Sequence, residues 1–176
     1  MISLYCTFTG GHTTEVLRLM SGLSDTYSPR YYIIAETDQM SEEKVHRFER
    51  GKHPGKKGVY EIQKVPRSRE VAQSWLSTVF TTLYATLHSF PMVFRISPDL
   101  ILCNGPGTCI PPCAAGLLMT YLGLKKVSLV YVESICRVET LSLSARLLYY
   151  LADHLLVQWP QLQQKFPRTT YIGRVI

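Results

Sequence analysis

Two glycine-bearing segments carry the residue types most suited to chemistry. Thr9-Gly10-Gly11-His12-Thr13 follows a short β-branched and aromatic run, residues 2–8, and opens a stretch of helical spacing. Glycine lets a backbone N–H approach an anion with no Cβ in the way, and a helix N-terminus adds positive potential. His12 and the hydroxyls of Thr13 and Thr14 are placed to touch the same anion, so the segment reads as a phosphate cradle. Imidazole titrates near neutral pH, which also suits His12 to a general base or a diphosphate donor. The plainer alternatives are a tight turn at the glycines and a first-turn histidine with no ligand.

Asn104-Gly105-Pro106-Gly107-Thr108 repeats this logic after an apolar run at residues 100–103, and Glu133-Ser134 sets a carboxylate and a hydroxyl after another at 126–132. Glu133 suits sugar hydroxyls or a base; alternatively it pairs with Arg137, four residues on. G-x-x-x-x-G-K-[ST], a complete G-x-G-x-x-G, D-x-D and G-x-S-x-G are all absent from the sequence.

These segments need a scaffold, and the pattern supplies one. Strand-like runs at residues 2–8, 31–35, 59–65, 100–103, 126–132, 154–157 and 170–176 alternate with helical stretches at 13–23, 41–50, 74–94, 111–121, 140–151 and 160–165. Pro91 is expected to break the third helix. Residues 51–58 read as a basic loop. Alternation over the whole length predicts an α/β fold: a single Rossmann-like, doubly wound parallel sheet with helices on both faces. Ligands of such sheets bind beyond the C-terminal strand ends, where strand order reverses.

The chain has 176 residues, room for one domain spanning 1–176, and a net charge of +6. Its basic residues are scattered, with local groups at Lys52–Lys57 and Arg67–Arg69, which argues against nucleic acid. The five cysteines include C-x5-C-x3-C at Cys103, Cys109 and Cys113. That is no zinc spacing, and small buried thiols are expected instead, with neither metal nor cofactor. No run of about 20 apolar residues is present to span a membrane.

Read together, Thr9-Gly10-Gly11-His12-Thr13-Thr14-Glu15, Val65-Pro66-Arg67-Ser68-Arg69-Glu70-Val71, Leu102-Cys103-Asn104-Gly105-Pro106-Gly107-Thr108, Tyr131-Val132-Glu133-Ser134-Ile135-Cys136-Arg137-Val138-Glu139 and Val157-Gln158-Trp159-Pro160 carry a resemblance. They resemble the family of membrane-recruiting subunits of the two-subunit eukaryotic UDP-N-acetylglucosamine transferase that forms dolichol-diphosphate chitobiose. More distantly they are similar to the acceptor-binding half of the bacterial GlcNAc transferase that makes the peptidoglycan lipid precursor. The resemblance covers nearly the whole chain, and several motifs in order are more specific than any one.

The resemblance implies half of a GT-B glycosyltransferase, inactive alone, that holds dolichol-diphosphate-GlcNAc at the cytosolic face of the endoplasmic reticulum. A soluble donor-binding subunit would bring UDP-GlcNAc and complete the cleft, and GlcNAc would be transferred with inversion. Position by position it assigns Gly10, Gly11, His12 and Thr13 to the acceptor diphosphate, and His12 or Glu133 to the base. It assigns Asn104, Gly105, Gly107, Thr108, Glu133, Ser134 and Arg137 to acceptor-side loops. Tyr171, Arg174, Val175 and Ile176 fall to the partner interface. The family's hydrophobic N-terminal anchor is expected to be missing from residues 1–176. Peripheral membrane contact is expected on two apolar faces: Trp75, Leu76, Val79, Phe80, Leu83, Tyr84, Leu87 and Phe90, and Leu117, Leu118, Met119, Tyr121 and Leu122. The competing reading is a self-sufficient small Rossmann-type enzyme acting on a phosphorylated metabolite.

Overall fold

The computed structural model describes residues 1–7, 10–55, 58–66, 75–105 and 107–175, with the backbone alone at 4–7, 10–11, 75–79 and 108. Strands β1 (Ser3–Thr7), β2 (Arg30–Ala35), β3 (Tyr60–Val65), β4 (Leu100–Asn104), β5 (Ser128–Val132), β6 (His154–Val157) and β7 (Thr169–Tyr171) alternate with α1 (Gly10–Ser21), α2 (Gln39–Lys52), α3 (Trp75–Ile96), α4 (Ile110–Tyr121), α5 (Leu143–Leu148) and α6 (Pro160–Lys165). The described strands form one sheet in the order β3-β2-β1-β4-β5-β6-β7. Every pairing is parallel. Order reverses between β1 and β4, whose register runs from Ser3 against Leu100 to Thr7 against Asn104. The expected doubly wound fold is therefore present, with its ligand crevice placed by topology at the ends of β1 and β4.

The period-two pleat sends alternate strand residues to opposite faces. Tyr32, Ile34, Leu102 and Val132 meet Val16, Leu17 and Met20 of α1 and Val45 of α2. Ile33, Ala35, Ile101, Cys103, Leu129 and Tyr131 meet Val93 of α3, Cys113, Ala115 and Met119 of α4, Ala145 and Leu148 of α5, and Leu162 of α6. The second face buries more, and α4 lies deepest in it. A Cβ on Gly116 would sit 2.5 Å from Ile101 Cδ1 and 3.3 Å from Val127 Cγ1, so glycine lets α4 rest directly on the sheet.

Several boundaries differ from expectation, four of them with a clear consequence. The α3 helix runs through Pro91 without a break. An interior proline costs about 3 kcal/mol, whereas Val93 is buried in the core and the partly buried Phe90 and Phe94 pack against it, a fully buried side chain of this kind being worth about 1.5–3 kcal/mol. Packing wins. The α2 helix extends to Lys52, past the glycine expected to end it, and Asp38 caps its start by accepting from the Ser41 N–H at 3.0 Å. The α5 helix is shorter than expected at both ends, and its later start follows from Ser142, whose Oγ caps it by accepting from the Ala145 N–H at 3.1 Å. The last strand stops at Tyr171, and residues 172–175 run on as non-strand chain.

At the far end of the sheet from the crevice, α2 is tied down by a buried polar cluster. Arg30 Nη1 donates to both Glu49 oxygens at 3.0 and 3.1 Å, and Tyr32 donates its hydroxyl to Oε1 of the same carboxylate.

Candidate functional site

Each strand that reaches the crevice hands over to a polar residue. The last residue of β4 is Asn104, Glu133 follows β5, and Gln158 follows β6; all three side chains are buried. A buried polar group is costly unless bonded, and these bond to one another around Glu15 of α1. Glu15 Oε2 accepts from Asn104 Nδ2 at 2.7 Å and from Gln158 Nε2 at 3.1 Å, while Oε1 accepts from Ser134 Oγ at 3.2 Å. Gln158 Nε2 also donates to the Glu133 carbonyl at 3.1 Å, and its Oε1 accepts from the Val175 N–H at 2.9 Å. This hub joins β4, β5, β6 and the C-terminal segment to α1.

Above the hub sits His12. Three residues before Glu15 on α1, it lies on the same helix face, and it is half-buried. Its Nδ1 lies 2.7 Å from Asn104 Oδ1. No described residue bonds its Nε2. The ring rests on Gly105, whose φ of +107° is one that L side chains rarely adopt. Tyr131 holds that loop from the other side, donating its hydroxyl to the Gly105 carbonyl at 2.8 Å and lying 3.2 Å from Ser142 Oγ. Burial first, and then the Glu133 charge, push the Tyr131 hydroxyl well above its ordinary pKa. It therefore stays a neutral donor.

Gly10, Gly11, His12 and Thr13 are the first four residues of α1, and N–H groups at such a helix start point out of the helix end. The Thr13 side chain does not join them. It is fully buried, with Oγ1 2.7 Å from Ser41 Oγ at the start of α2. Thr14 likewise turns to α2, where Lys44 Nζ donates to its Oγ1 at 3.1 Å. It lines a cleft of about 360 Å³ between α1 and α2 with Leu17, Arg18, Lys44, Arg47 and Phe48, on the side of α1 away from His12.

Glu133 is held by its own loop. Its Oε1 accepts from the Ser134 N–H at 3.0 Å and its Oε2 from the Ser142 N–H at 2.7 Å, so both oxygens are tied to the loop after β5. Nor does it meet Arg137, which is exposed. Asn104 and Ser134 are also buried and turned to Glu15 rather than outward, so they support the crevice instead of lining it. Gly107 starts a single 3₁₀ turn, Gly107–Cys109, and is exposed; the Thr108 side chain and Pro106 lie outside the described residues, as do Thr9 and the segment 67–74 with its Arg67–Arg69 group. Cys103, Cys109 and Cys113 are buried, with Cys103 Sγ and Cys113 Sγ 3.2 Å apart. Among the described residues no His, Cys, Asp and Glu cluster suits a metal.

At the C-terminus, Tyr171 and Arg174 are exposed. The Arg174 guanidinium stands 5.7 Å from the Trp159 ring centre, and the Val175 carbonyl accepts from Arg18 at 3.4 Å. Ile176 lies outside the described residues. The apolar faces are smaller than expected. Phe80, Leu83, Tyr84 and Leu87 of α3 are exposed, and so are Tyr121 and Leu122, but Phe90 and Leu117 pack against the core and Met119 is buried in it. The Trp75, Leu76 and Val79 side chains lie outside the described residues.

Glu15 and Gln158 were missed as site residues. Both stand inside the quoted motifs, and each had a signal: Glu15 is three residues beyond His12, and Gln158 ends its strand as Asn104 ends β4.

The fold is that of one half of a GT-B glycosyltransferase. A crystal structure of Acinetobacter baumannii MurG superposes with a TM-score of 0.61 at 14% identity, covering 100% of this chain and 45% of that one. LpCGTa in complex with UDP gives 0.57 at 12% identity, covering 100% of this chain and 53% of the other. The chain thus spans about half of each of these molecules. Residues 5–175 match the family described as oligosaccharide biosynthesis protein Alg14 like, and the chain belongs to that family. Similar relatives are named UDP-N-acetylglucosamine transferase subunit ALG14. The rat protein is 56% identical over 171 residues (95% of this chain, 79% of the relative), and so is the human one. The Schizosaccharomyces pombe protein is 45% identical over 170 residues (94% and 79%).

Proposed function

We propose that this chain is the acceptor-holding subunit of a UDP-N-acetylglucosamine transferase and works only with a separate donor-binding subunit. Membership of a family of transferase subunits supports this over a self-sufficient enzyme, as does a single domain matching under half of MurG. The observation that carries the acceptor role is the open end of α1 at the β1–β4 reversal with His12 beside it.

The acceptor is dolichol-diphosphate-GlcNAc. Its diphosphate takes the backbone N–H groups at the start of α1, from Gly10 on, and the positive end of that helix. The acceptor 4-hydroxyl attacks the anomeric carbon of UDP-GlcNAc held by the partner. The new C–O bond forms as the bond to the UDP oxygen breaks, UDP leaves with the electron pair, and the hydroxyl proton passes to His12 Nε2. A positioned base of this kind is worth about 10²–10⁴-fold.

Membrane contact fits the same end of the molecule. Because α3 leaves the C-terminal end of β3, its N-terminal half lies at the crevice end of the sheet. Phe80, Leu83, Tyr84 and Leu87, all exposed, lie in that half at spacings of three and four, the stripe of a helix resting on a lipid surface. No described helix is long and apolar enough to cross a membrane. Tyr171, Arg174 and Val175, at the end of the chain, are assigned to the donor-binding subunit, which this chain would recruit to the cytosolic face of the endoplasmic reticulum.

The test is transfer from UDP-GlcNAc to a short-chain lipid-diphosphate-GlcNAc, with each subunit alone, both together, and both with His12→Gln. Product from the mixture alone, cut about 10²-fold or more by the substitution, is the expected result. Turnover by this chain unaided would overturn the split-site reading, and full activity of the variant would overturn His12 as base.

A further inference from the structure

We infer that Glu15 is a positioning residue: acting through Asn104, it holds His12 as the Nδ1–H tautomer and leaves the Nε2 lone pair facing the crevice. This rests on the reading of His12 as base, but it makes a separate claim about where the imidazole proton sits.

Two backbone atoms at the far end of these bonds have fixed roles. The Val175 N–H can only donate, and it meets Gln158 Oε1 at 2.9 Å. The other end of that amide is then Nε2, consistent with its 3.1 Å contact to the Glu133 carbonyl, which can only accept. Gln158 Nε2 therefore donates to Glu15 Oε2 as well. A carboxylate oxygen receiving that bond also accepts from the second amide aimed at it, which makes the Asn104 atom 2.7 Å away Nδ2. Asn104 then turns Oδ1 to His12. An amide oxygen has no proton to give, so His12 Nδ1 must carry one across the 2.7 Å contact. In neutral imidazole the other nitrogen is then the acceptor.

Gly105 keeps the ring in this orientation, since a Cβ there would lie 2.8 Å from His12 Cγ. The proton taken from the acceptor stays on Nε2. Nothing travels along the chain of bonds, and Glu15 contributes by orientation and by its charge behind the imidazolium that forms.

Replacing Glu15 with glutamine removes the compulsion. A carboxamide can present either oxygen or NH2 to Asn104, so the Asn104 amide is free to turn and offer its own NH2 to Nδ1, which selects the Nε2–H tautomer. The experiment is ¹⁵N spectroscopy of histidine-labelled chain in complex with its partner subunit, above the His12 titration, with His12→Gln assigning the signal. Parent protein should show a protonated-type Nδ1 and a lone-pair-type Nε2. Glu15→Gln should add the opposite tautomer and lower kcat about 10–100-fold, with the KM for UDP-GlcNAc unchanged. An Nε2–H tautomer in the parent overturns the inference, and this readout stands even if Glu15→Gln does not fold. A folded Glu15→Gln with parental tautomer and kcat overturns it too. Activity surviving His12→Gln would instead sink the base assignment and leave the tautomer result standing.

Discussion

Gly105, in the loop after β4, and His12, in the first turn of α1, touch so closely that residue 105 has no room for a side chain. A Cβ built there lies 2.8 Å from His12 Cγ and 2.9 Å from Cδ2, and the backbone φ is +107°. The loop after β4 thus sets the height and tilt of the imidazole on α1. Gly105→Ala should lower stability by about 1–3 kcal/mol through backbone strain and reduce transfer at least ~10-fold by displacing the ring, given how steeply rate depends on placement. Denaturant titration and the two-subunit assay check both. Parental turnover would show that the contact does not hold His12.

The loop is held from beneath by Tyr131. Removing its hydroxyl in Tyr131→Phe should cost about 1–2 kcal/mol, because the Gly105 carbonyl loses a buried donor. The variant also carries a pH signature. Burial keeps Tyr131 protonated when folded, while in the unfolded chain a tyrosine ionises near pH 10. Below that pH the native contact is fully present; above it the unfolded state sheds a proton that the native state keeps, so stability falls as pH rises. Comparing parent and Tyr131→Phe between about pH 9 and 11 should show the smaller loss in the variant. Equal slopes would mean that Tyr131 does not retain its proton.

Glu133 separates a structural carboxylate from a catalytic one. Glutamine offers one acceptor oxygen where two backbone N–H groups now bond, so Glu133→Gln should destabilise by about 1–3 kcal/mol. Activity per folded complex should stay within a few-fold of parent. A loss of about 10²–10⁴-fold with stability unchanged would restore it as the base.

The exposed stripe on α3 should bind lipid. Phe80→Glu combined with Leu87→Glu should abolish co-sedimentation with vesicles containing anionic lipid. Each surface substitution should move stability by less than ~0.5 kcal/mol, since neither side chain packs in the core. Unchanged sedimentation would take membrane contact away from this face.

The sequence alone determined the fold class and the position of the crevice. Hydrophobic period is a local property, and strands alternating with helices admit few arrangements other than a parallel sheet. Hence β6 and α6 match their expected bounds to the residue. Local rules failed where long-range packing outweighed them, as at Pro91, whose cost is met by core contacts of Phe90, Val93 and Phe94. His12, Gly105 and Asn104 were singled out because they stand beside the ends of the strands where sheet order reverses.

Which polar residues face a ligand and which face each other was decided only by the tertiary structure. Glu133 and Glu15 are the same residue type in equally suggestive motifs. One is consumed by two backbone N–H groups of its own loop, and the other gathers side chains separated by 89, 119 and 143 positions. Hydrogen bonds across such separations depend on how β4, β5 and β6 line up beside α1, and no spacing within a motif encodes that alignment.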